Sequence, residues 1–225
     1  ARSRGLGDVY KRQASTSATY LDMNGMSDKM TLDGITYTFP LGDSLTVMVG
    51  DSTDVSALYS TACTYSAFTD ILGNCGSGNA AGLGGGGTTS ISSATIAASY
   101  DFGNGFTVAG GLSGEGEGDN GLFTKEGMDV YGVQAAYNTD TYGASLSYAL
   151  TDTSETAETT FWGFNAFYSF DGEGLPSISI GYESEDPSAS ATEEGYFVGL
   201  TWDSVGPGSL SVGTVSYTHL RAHET

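Results

Sequence analysis

The side chains best suited to chemistry in this sequence are two histidines, two cysteines and many carboxylates. His219 and His223 are the only imidazoles, and both lie close to the end of the chain. Glu155 and Glu158 could act as an acid–base pair, but they lie in an acidic stretch, where charge is usually only solvated. Because a hydrolase needs a nucleophile with an adjacent base, the sequence predicts no catalytic residue and a protein that is not an enzyme.

The two cysteines, Cys63 and Cys75, enclose one loop-like stretch. A disulfide between them is expected and would imply an oxidising compartment; the alternative is a pair of free buried thiols. Two sulfurs without a nearby histidine are too few for a zinc site, so neither a metal site nor a cofactor is predicted. Calcium binding by the acidic loops is a weaker alternative, since no EF-hand spacing occurs.

Both ends of the chain resemble foreign sequence rather than protein design. Residues 5–13 end in a run that back-translates to the end of a transposase-based sequencing adapter. Residues 215–225 back-translate to the reverse complement of the same adapter. We therefore interpret 1–13 and 215–225 as adapter-like artefacts, and 14–214 as a fragment of a longer natural chain.

The segment between these ends is strongly acidic. The whole chain has 7 Lys and Arg against 27 Asp and Glu, a formal charge of −20. Two of the acids, Asp8 and Glu224, lie in the end segments, so 25 acids remain with Lys29 and Lys125, a formal charge of −23. Five of the seven cations also lie in or beside the end segments: Arg2, Arg4, Lys11, Arg12 and Arg221. Nucleic acid is excluded as a partner, because its binding needs cationic contacts.

The elements that organise the rest of the chain are strands with alternating side chains. Most of them approach the roughly 9–11 residues that a tilted strand needs to cross a bilayer. No run of about 18 apolar residues is present to form a transmembrane helix. The candidate strands are 30–39, 44–51, 91–102, 105–114, 128–138, 141–151, 159–170, 176–185, 194–203 and a short piece at 208–214.

The two sides of these strands differ in chemistry. One side is apolar and carries no charge, and a Lys or Arg there at mid-bilayer would cost about 2–4 kcal/mol. The other side is small and polar, which suits a water-filled interior. The candidate pore-lining residues on it are Thr36, Thr46, Thr95, Ser99, Asp101, Ser113, Gln134, Ser145, Ser147, Asn165, Ser177, Ser179, Glu183, Thr201 and Asp203.

A soluble β-sandwich alternates as well, with its apolar side as the core. Its exposed side, however, normally carries Lys and Glu, and its edges use lysine against pairing. The sequence therefore predicts an all-β, antiparallel transmembrane β-barrel, with a secreted acidic β-rich binding or adhesion module as the alternative. A sandwich would cluster these residues in a sealed interior: Tyr37, Ile96, Leu146, Phe164 and Val198.

Connection lengths and aromatic positions also favour a barrel. Short turns at 40–43, 103–105, 138–140, 171–174 and 204–207 alternate with longer connections at 52–90, 115–127, 152–158 and 186–193, which is the outer-membrane pattern. Aromatic residues at the short-turn ends are typical of an interfacial girdle. These residues are Phe39, Phe102, Phe106, Tyr137, Tyr142, Phe170 and Trp202.

One stretch carries a family resemblance. The run Leu-Asp-Gly-Ile-Thr-Tyr-Thr-Phe-Pro-Leu-Gly-Asp-Ser-Leu-Thr-Val-Met-Val-Gly at 32–50 resembles the cyanobacterial outer-membrane porins. The glycine-rich 82–87 and the strand end 98–102 support this resemblance. It is a family grouped with carbohydrate-selective porins, some of which are labelled iron-uptake porins.

The resemblance implies an outer-membrane barrel of about 16 strands, of which this fragment holds about ten. Its function would be passive diffusion of small hydrophilic solutes, either sugars or inorganic ions, with outer-membrane lipid around it and a homotrimer as a candidate assembly. Relatives often carry an envelope-anchoring domain before the barrel, and no part of this sequence corresponds to one.

Porins of this type fold one long loop into the lumen. We expect 52–90 to do so, stiffened by the disulfide, with Asp51, Asp54 and Asp70 near the passage; the alternative is a surface loop over the mouth. The lumen carboxylates, together with the acidic loops, suggest a negative field that favours cations. The alternative is that these acids are solvated and only confer solubility.

Overall fold

The computed structural model describes residues 35–60, 62–64, 94–114, 129–154, 157–172, 174–188 and 190–219. This part of the chain contains ten β-strands, each overlapping a predicted one. They are β1 Ile35–Leu41, β2 Leu45–Asp51, β3 Ala94–Asp101, β4 Phe106–Gly114, β5 Asp129–Asn138, β6 Tyr142–Ser154, β7 Ala157–Ser169, β8 Ser177–Pro187, β9 Glu193–Val205 and β10 Gly208–His219. The predicted all-β fold class is confirmed, and no helix of the described residues is long and apolar enough to span a membrane.

The strands form a single ten-stranded sheet in the order β1 to β10, so each strand pairs with the next one along the chain. Every pairing is antiparallel, and several of the paired strands are joined by the short turns that antiparallel neighbours allow. β1 and β10 lie at the two ends of this order, so the described sheet is open rather than closed on itself.

The turn between β3 and β4 illustrates how the short connections form. Gly103 and Gly105 adopt positive φ values of 76° and 86°, a backbone region that glycine enters without a Cβ penalty. The Asp101 carboxylate accepts a hydrogen bond from the Gly103 amide at 2.8 Å, and the Asn104 side chain accepts one from the Phe106 amide at 3.1 Å. These local bonds fix the reversal between the two strands.

The longer connections lie at the opposite end of the strands, which we call the rim. The rim differs from the prediction in one place. Residues 152–158 were expected as a longer connection, but β6 runs on to Ser154 and β7 begins at Ala157. Asp152 pairs with Glu158, which continues the ladder. Both strands are 13 residues long and exceed the roughly 9–11 residues that a bilayer needs. Their polar ends therefore extend past the length that is expected of a membrane-spanning strand.

The last strand also runs further than predicted. β10 pairs with β9 as far as His219, opposite Glu193, and so enters the adapter-like segment 215–225. Backbone pairing needs only an extended chain with free N–H and C=O groups, so this pairing leaves the origin of the segment untested. Residues 1–13 lie outside the described residues, and both adapter-like assignments stay predictions.

The two sides of the sheet have the reverse of the usual burial. The residues that a sandwich would enclose are instead exposed: Tyr37 by 67%, Ile96 by 44%, Leu146 by 51%, Phe164 by 38% and Val198 by 46%. On the other side, Gln134 is 3% exposed and Asn165 is 0% exposed. The sheet therefore buries its polar face and presents its apolar face to the surroundings.

Candidate functional site: the polar face and the segment that crosses it

All of the predicted lining residues lie on one face of the sheet. The register places Thr95 opposite Ser113 and Gln134 opposite Ser147, and residues directly opposite each other project to the same side. Hydroxyl and amide groups bond across strands on this face, as between Thr95 and Ser113 at 2.9 Å. Thr36, Asp101 and Asp203 are exposed near the ends of their strands.

A part of the connection after β2 lies against this polar face. We call residues 53–60 and 62–64 the crossing segment. It begins where the Thr95 hydroxyl donates to the Thr53 carbonyl at 2.7 Å, and the Tyr59 amide then donates to the Ser56 carbonyl at 2.9 Å to close a turn. The segment thus leaves β2 and enters the polar side of the sheet.

The crossing segment then passes over strands β5, β6 and β8. The Ser60 amide donates to Gln134 Oε1 at 2.7 Å, the Ala62 amide to Ser145 Oγ at 3.4 Å and the Thr64 amide to Ser179 Oγ at 3.2 Å. Asn138 Nδ2 also donates to Ser60 Oγ at 2.9 Å.

These contacts fix the depth of the segment. Gln134 lies five residues beyond Asp129, the rim end of β5, which is about 17 Å along the strand at roughly 3.4 Å per residue. Asn138 is the last residue of β5, at the short-turn end. The described part of the segment therefore lies at the depth of the strands and not beyond their ends.

Two glycines allow the crossing segment to approach the strands of the polar face, which we call the wall. Gly111 and Gly132 pair directly across β4 and β5. A Cβ on Gly111 would lie 2.9 Å from the Val55 carbonyl oxygen, and one on Gly132 would overlap the Tyr59 hydroxyl. Sequence reasoning missed Val55 and Tyr59, although paired glycines in an otherwise polar face were a signal of close approach.

Tyr59 is the titratable group most strongly perturbed by this packing. Burial raises the pKa of its hydroxyl above the ordinary value of 10.0, because an ionised phenolate would lose its hydration. The hydroxyl oxygen is buried and makes no hydrogen bond to the described part of the chain. Tyr59 therefore acts as an apolar wedge between the crossing segment and the wall.

The predicted constriction residues do not all share this location. Asp54 is exposed at the start of the crossing segment, whereas Asp51 pairs with Ile35 and Ala94, whose side chains belong to the apolar face. The placement of Asp51 therefore differs from the predicted one. Asp70 lies outside the described residues.

Cys63 lies in the crossing segment and is disulfide-bonded. Its predicted partner, Cys75, lies outside the described residues, so the pairing stays a prediction.

The charge on the described residues has one sign. All seven lysines and arginines lie outside the described ranges. The polar face carries Glu183, which is 7% exposed, and the more exposed Asp101, Glu185 and Asp203. No group of three or more His, Cys, Asp or Glu in the described ranges is arranged to hold a metal ion.

The apolar face carries aromatic pairs at two levels. At the short-turn end the ring centroids of Tyr100 and Phe102 lie 4.8 Å apart, with similar pairs on β1 and at the end of β7. Toward the rim, Tyr148 pairs with Trp162 at 4.7 Å and Tyr182 with Tyr196 at 5.1 Å. Only the first girdle was predicted.

The second girdle has polar anchors. The hydroxyl groups of Tyr182 and Tyr196 donate to the two carboxylate oxygens of Glu194 at 3.0 and 3.2 Å. An apolar ring with a hydrated hydroxyl suits the boundary between lipid and water. The distance between the two girdles therefore marks an apolar band on the outside of the sheet.

The family model of the Gram-negative porins matches residues 15–225 of this chain. The chain belongs to the Gram-negative porin family. Among proteins with curated functions, none matches the sequence significantly. The porin assignment explains why the apolar face is exposed, and it leaves no support for the alternative of a secreted binding or adhesion module.

Solved structures agree on the fold. The anion-selective porin from Comamonas acidovorans is 13% identical with a TM-score of 0.53, covering 83% of this chain and 48% of its own. The outer membrane channel DcaP of Acinetobacter baumannii is 10% identical with a TM-score of 0.52, covering 82% of this chain and 55% of its own. The chain therefore spans about half the length of these structures. As a porin it lies in the outer membrane.

Proposed function

We propose that this porin forms part of the wall of a closed barrel through which small hydrophilic solutes diffuse passively. The inverted burial of the two faces carries this proposal. A soluble protein rarely exposes an apolar patch of more than a few hundred Å², whereas a barrel in lipid needs an apolar outside and a polar inside. Passive diffusion through a wet interior requires no cofactor and no catalytic group.

The open edges of β1 and β10 fit a larger barrel. An unpaired edge strand in a bilayer leaves backbone groups without partners, so only closed barrels are stable there. We propose a barrel of about 16 strands, of which the described sheet supplies ten. The matched region covers 48% and 55% of the two solved porin structures, which supports a barrel larger than the described sheet.

The crossing segment is proposed as the constriction of the passage. It lies on the polar face at the depth of the strands, where it would reduce the free cross-section of a closed barrel. Asp54 would lie near the passage, and the Cys63–Cys75 disulfide would limit the movement of the segment. Asp70 is also proposed to lie near the passage, and this part of the proposal rests on its position in the sequence.

The solutes are proposed to be cations in preference to anions. The described residues contain carboxylates on the polar face and neither lysine nor arginine, and rings of carboxylates favour cations in a pore. The Comamonas acidovorans protein is an anion-selective porin, but identity of 13% is a likeness of fold and gives no selectivity for this chain.

Three finer assignments complete the proposal. A cyanobacterial type, with sugars or inorganic ions as solutes, is proposed from the sequence resemblance at residues 32–50, 82–87 and 98–102. A homotrimer is proposed only because the family makes it a candidate assembly. Outer-membrane lipid is the partner that the exposed apolar face supports best.

The test is a reversal potential in planar lipid bilayers, with the complete reading frame that contains this chain and a KCl gradient across the membrane. We expect stepwise channels with a reversal potential of the sign for potassium preference. Glu183→Gln should reduce that preference, whereas Asp152→Asn, which removes a charge from the outer face, should not. No channel activity would contradict diffusion, and anion preference would contradict the charge argument.

A further inference from the structure

Three alternate residues of the crossing segment turn their amides to the wall. Ser60, Ala62 and Thr64 each donate an N–H to the polar face, which is the spacing of one side of an extended chain. A buried amide without an acceptor costs a large part of its hydration energy. The segment can therefore lie against the wall only where the wall offers acceptors.

The backbone of the wall cannot supply those acceptors. In the middle of an antiparallel sheet, the carbonyl groups of each strand are already paired with the neighbouring strands. β5, β6, β7 and β8 are all internal strands of the described sheet. Only side chains that project from the polar face are available to the segment.

Three side chains meet this need, one each on β5, β6 and β8. They are Gln134, Ser145 and Ser179, which are 3%, 3% and 1% exposed. Gln134 is itself held in place, because its Nε2 donates to Ser147 Oγ at 3.1 Å while its Oε1 accepts from Ser60. Ser179 contacts the Thr64 hydroxyl as well, at 3.0 Å.

We propose that Gln134, Ser145 and Ser179 are positioning residues that hold the crossing segment against the wall and thereby set the width of the passage. This inference rests on the proposed diffusion function. The competing explanation is that the disulfide and the close packing at Gly111 and Gly132 hold the segment by themselves. The hydrogen bonds would then be a consequence of its position.

The two explanations differ in what happens when the acceptors are removed. Gln134→Met keeps the side-chain volume but removes the acceptor for the Ser60 amide. Ser145→Ala and Ser179→Ala remove the other two. If the acceptors hold the segment, each lost bond should raise the time that it spends away from the wall by about fivefold, from a net strength near 1 kcal/mol per bond.

The test compares single-channel recordings of the complete porin with those of the combined Gln134→Met, Ser145→Ala, Ser179→Ala variant. We expect open-channel current noise to rise severalfold and larger polyethylene glycols to enter the pore. Thr107→Ala is the matched control, because Thr107 pairs with Asp101 on the polar face and no hydrogen bond between it and the crossing segment is found in the described residues. It should behave like the wild type.

A second variant tests whether the acceptor itself, rather than any substitution at residue 134, is responsible. Gln134→Glu keeps an acceptor for the Ser60 amide and should therefore retain low noise and the wild-type size limit. Wild-type-like noise and size limit in the triple variant would overturn the inference while leaving the diffusion function intact. Failure of the wild type to form channels would instead overturn the function on which the inference rests. Folding of each variant is checked by its β-sheet circular dichroism.

Discussion

Gly132 and Tyr59 offer a direct test of the contact between the crossing segment and the wall. A Cβ added at Gly132 would overlap the Tyr59 hydroxyl and lie 3.1 Å from Val55 Cγ2. Because the Tyr59 hydroxyl lies next to Gly132, the ring must shift within the packing of the segment to make room for the added Cβ. Overpacking of this kind usually destabilises by about 1–3 kcal/mol. We expect that loss for Gly132→Ala.

Removing the hydroxyl group of Tyr59 should relieve its overlap with the Cβ that Gly132→Ala adds. Tyr59→Phe removes only the hydroxyl, whose oxygen is buried without a hydrogen bond in the described part of the chain. Removing such a group spares a desolvation penalty of about 1–3 kcal/mol, so Tyr59→Phe should be neutral or stabilising. In the double variant the added Cβ would lie 3.6 Å from the ring carbon that bore the hydroxyl, an ordinary contact distance.

The assay is a double-mutant cycle on the free energy of unfolding, measured by denaturant titration of the complete porin in detergent or lipid. Neighbouring residues in contact show coupling energies of about 0.5–3 kcal/mol, and here the sign should be favourable to the double variant. The single-channel conductance should change in Gly132→Ala and should return to the wild-type value in the double variant. Additive free energies, or a Gly132→Ala variant indistinguishable from the wild type, would refute the packing argument.

Three further outcomes are expected. Leu146→Lys on the exposed apolar face should destabilise the membrane-inserted form by about 2–4 kcal/mol, whereas Ser99→Lys on the polar face should be tolerated and should lower cation preference; equal effects on folding would contradict the assignment of the faces. Because burial raises the folded-state pKa of Tyr59 above 10.0, its neutral form contributes stability below about pH 10 that is lost as the pH rises further; unfolding titrations should therefore show a steeper alkaline loss for the wild type than for Tyr59→Phe. Replacing Cys63 and Cys75 with serine should alter single-channel conductance, and an unchanged conductance would remove the disulfide from the constriction.

The strands and their faces could be predicted because alternation is a local property. Thr95, Gln134 and Ser179 could be assigned to one face from the period of two alone, and the register places them there. Side-chain chemistry also gave the orientation of the sheet, since exposed Leu146 and Phe164 carry no charged neighbour on their own face. Neither inference needed a contact between distant residues.

The crossing segment could be predicted only as a long connection that enters the interior. Which side chains receive it depends on contacts between residues 74 to 115 positions apart, such as Ser60 with Gln134 and Thr64 with Ser179. Such contacts leave no periodic trace in the sequence. The placement of Asp51 on the apolar side, by contrast, follows from the period of two, because Asp51 ends β2 two residues after Val49 on the same side of that strand.

The length of β6 and β7 was underestimated for a related reason. The acidic and threonine-rich residues around 152–158 have the composition of a loop, yet they pair across the two strands. Composition predicts contact with water, and strands that extend beyond a membrane also contact water. The second aromatic girdle was not predicted for the same reason, because Tyr182 and Tyr196 lie close to carboxylates in a part of the sequence with the composition of a loop.

The central claim is that the exposed face of the sheet contacts lipid, and the tryptophans report on it directly. Trp162 and Trp202 are the two tryptophans of this chain; Trp162 is 49% exposed, and Trp202 pairs with Leu210 on the same apolar face. The measurement is fluorescence quenching in the complete porin, with any other tryptophan replaced by phenylalanine, reconstituted into lipids with brominated acyl chains. The account predicts strong quenching by the bromolipids and weak quenching by aqueous iodide. Strong iodide quenching with none from the bromolipids would place this face in water and contradict the account.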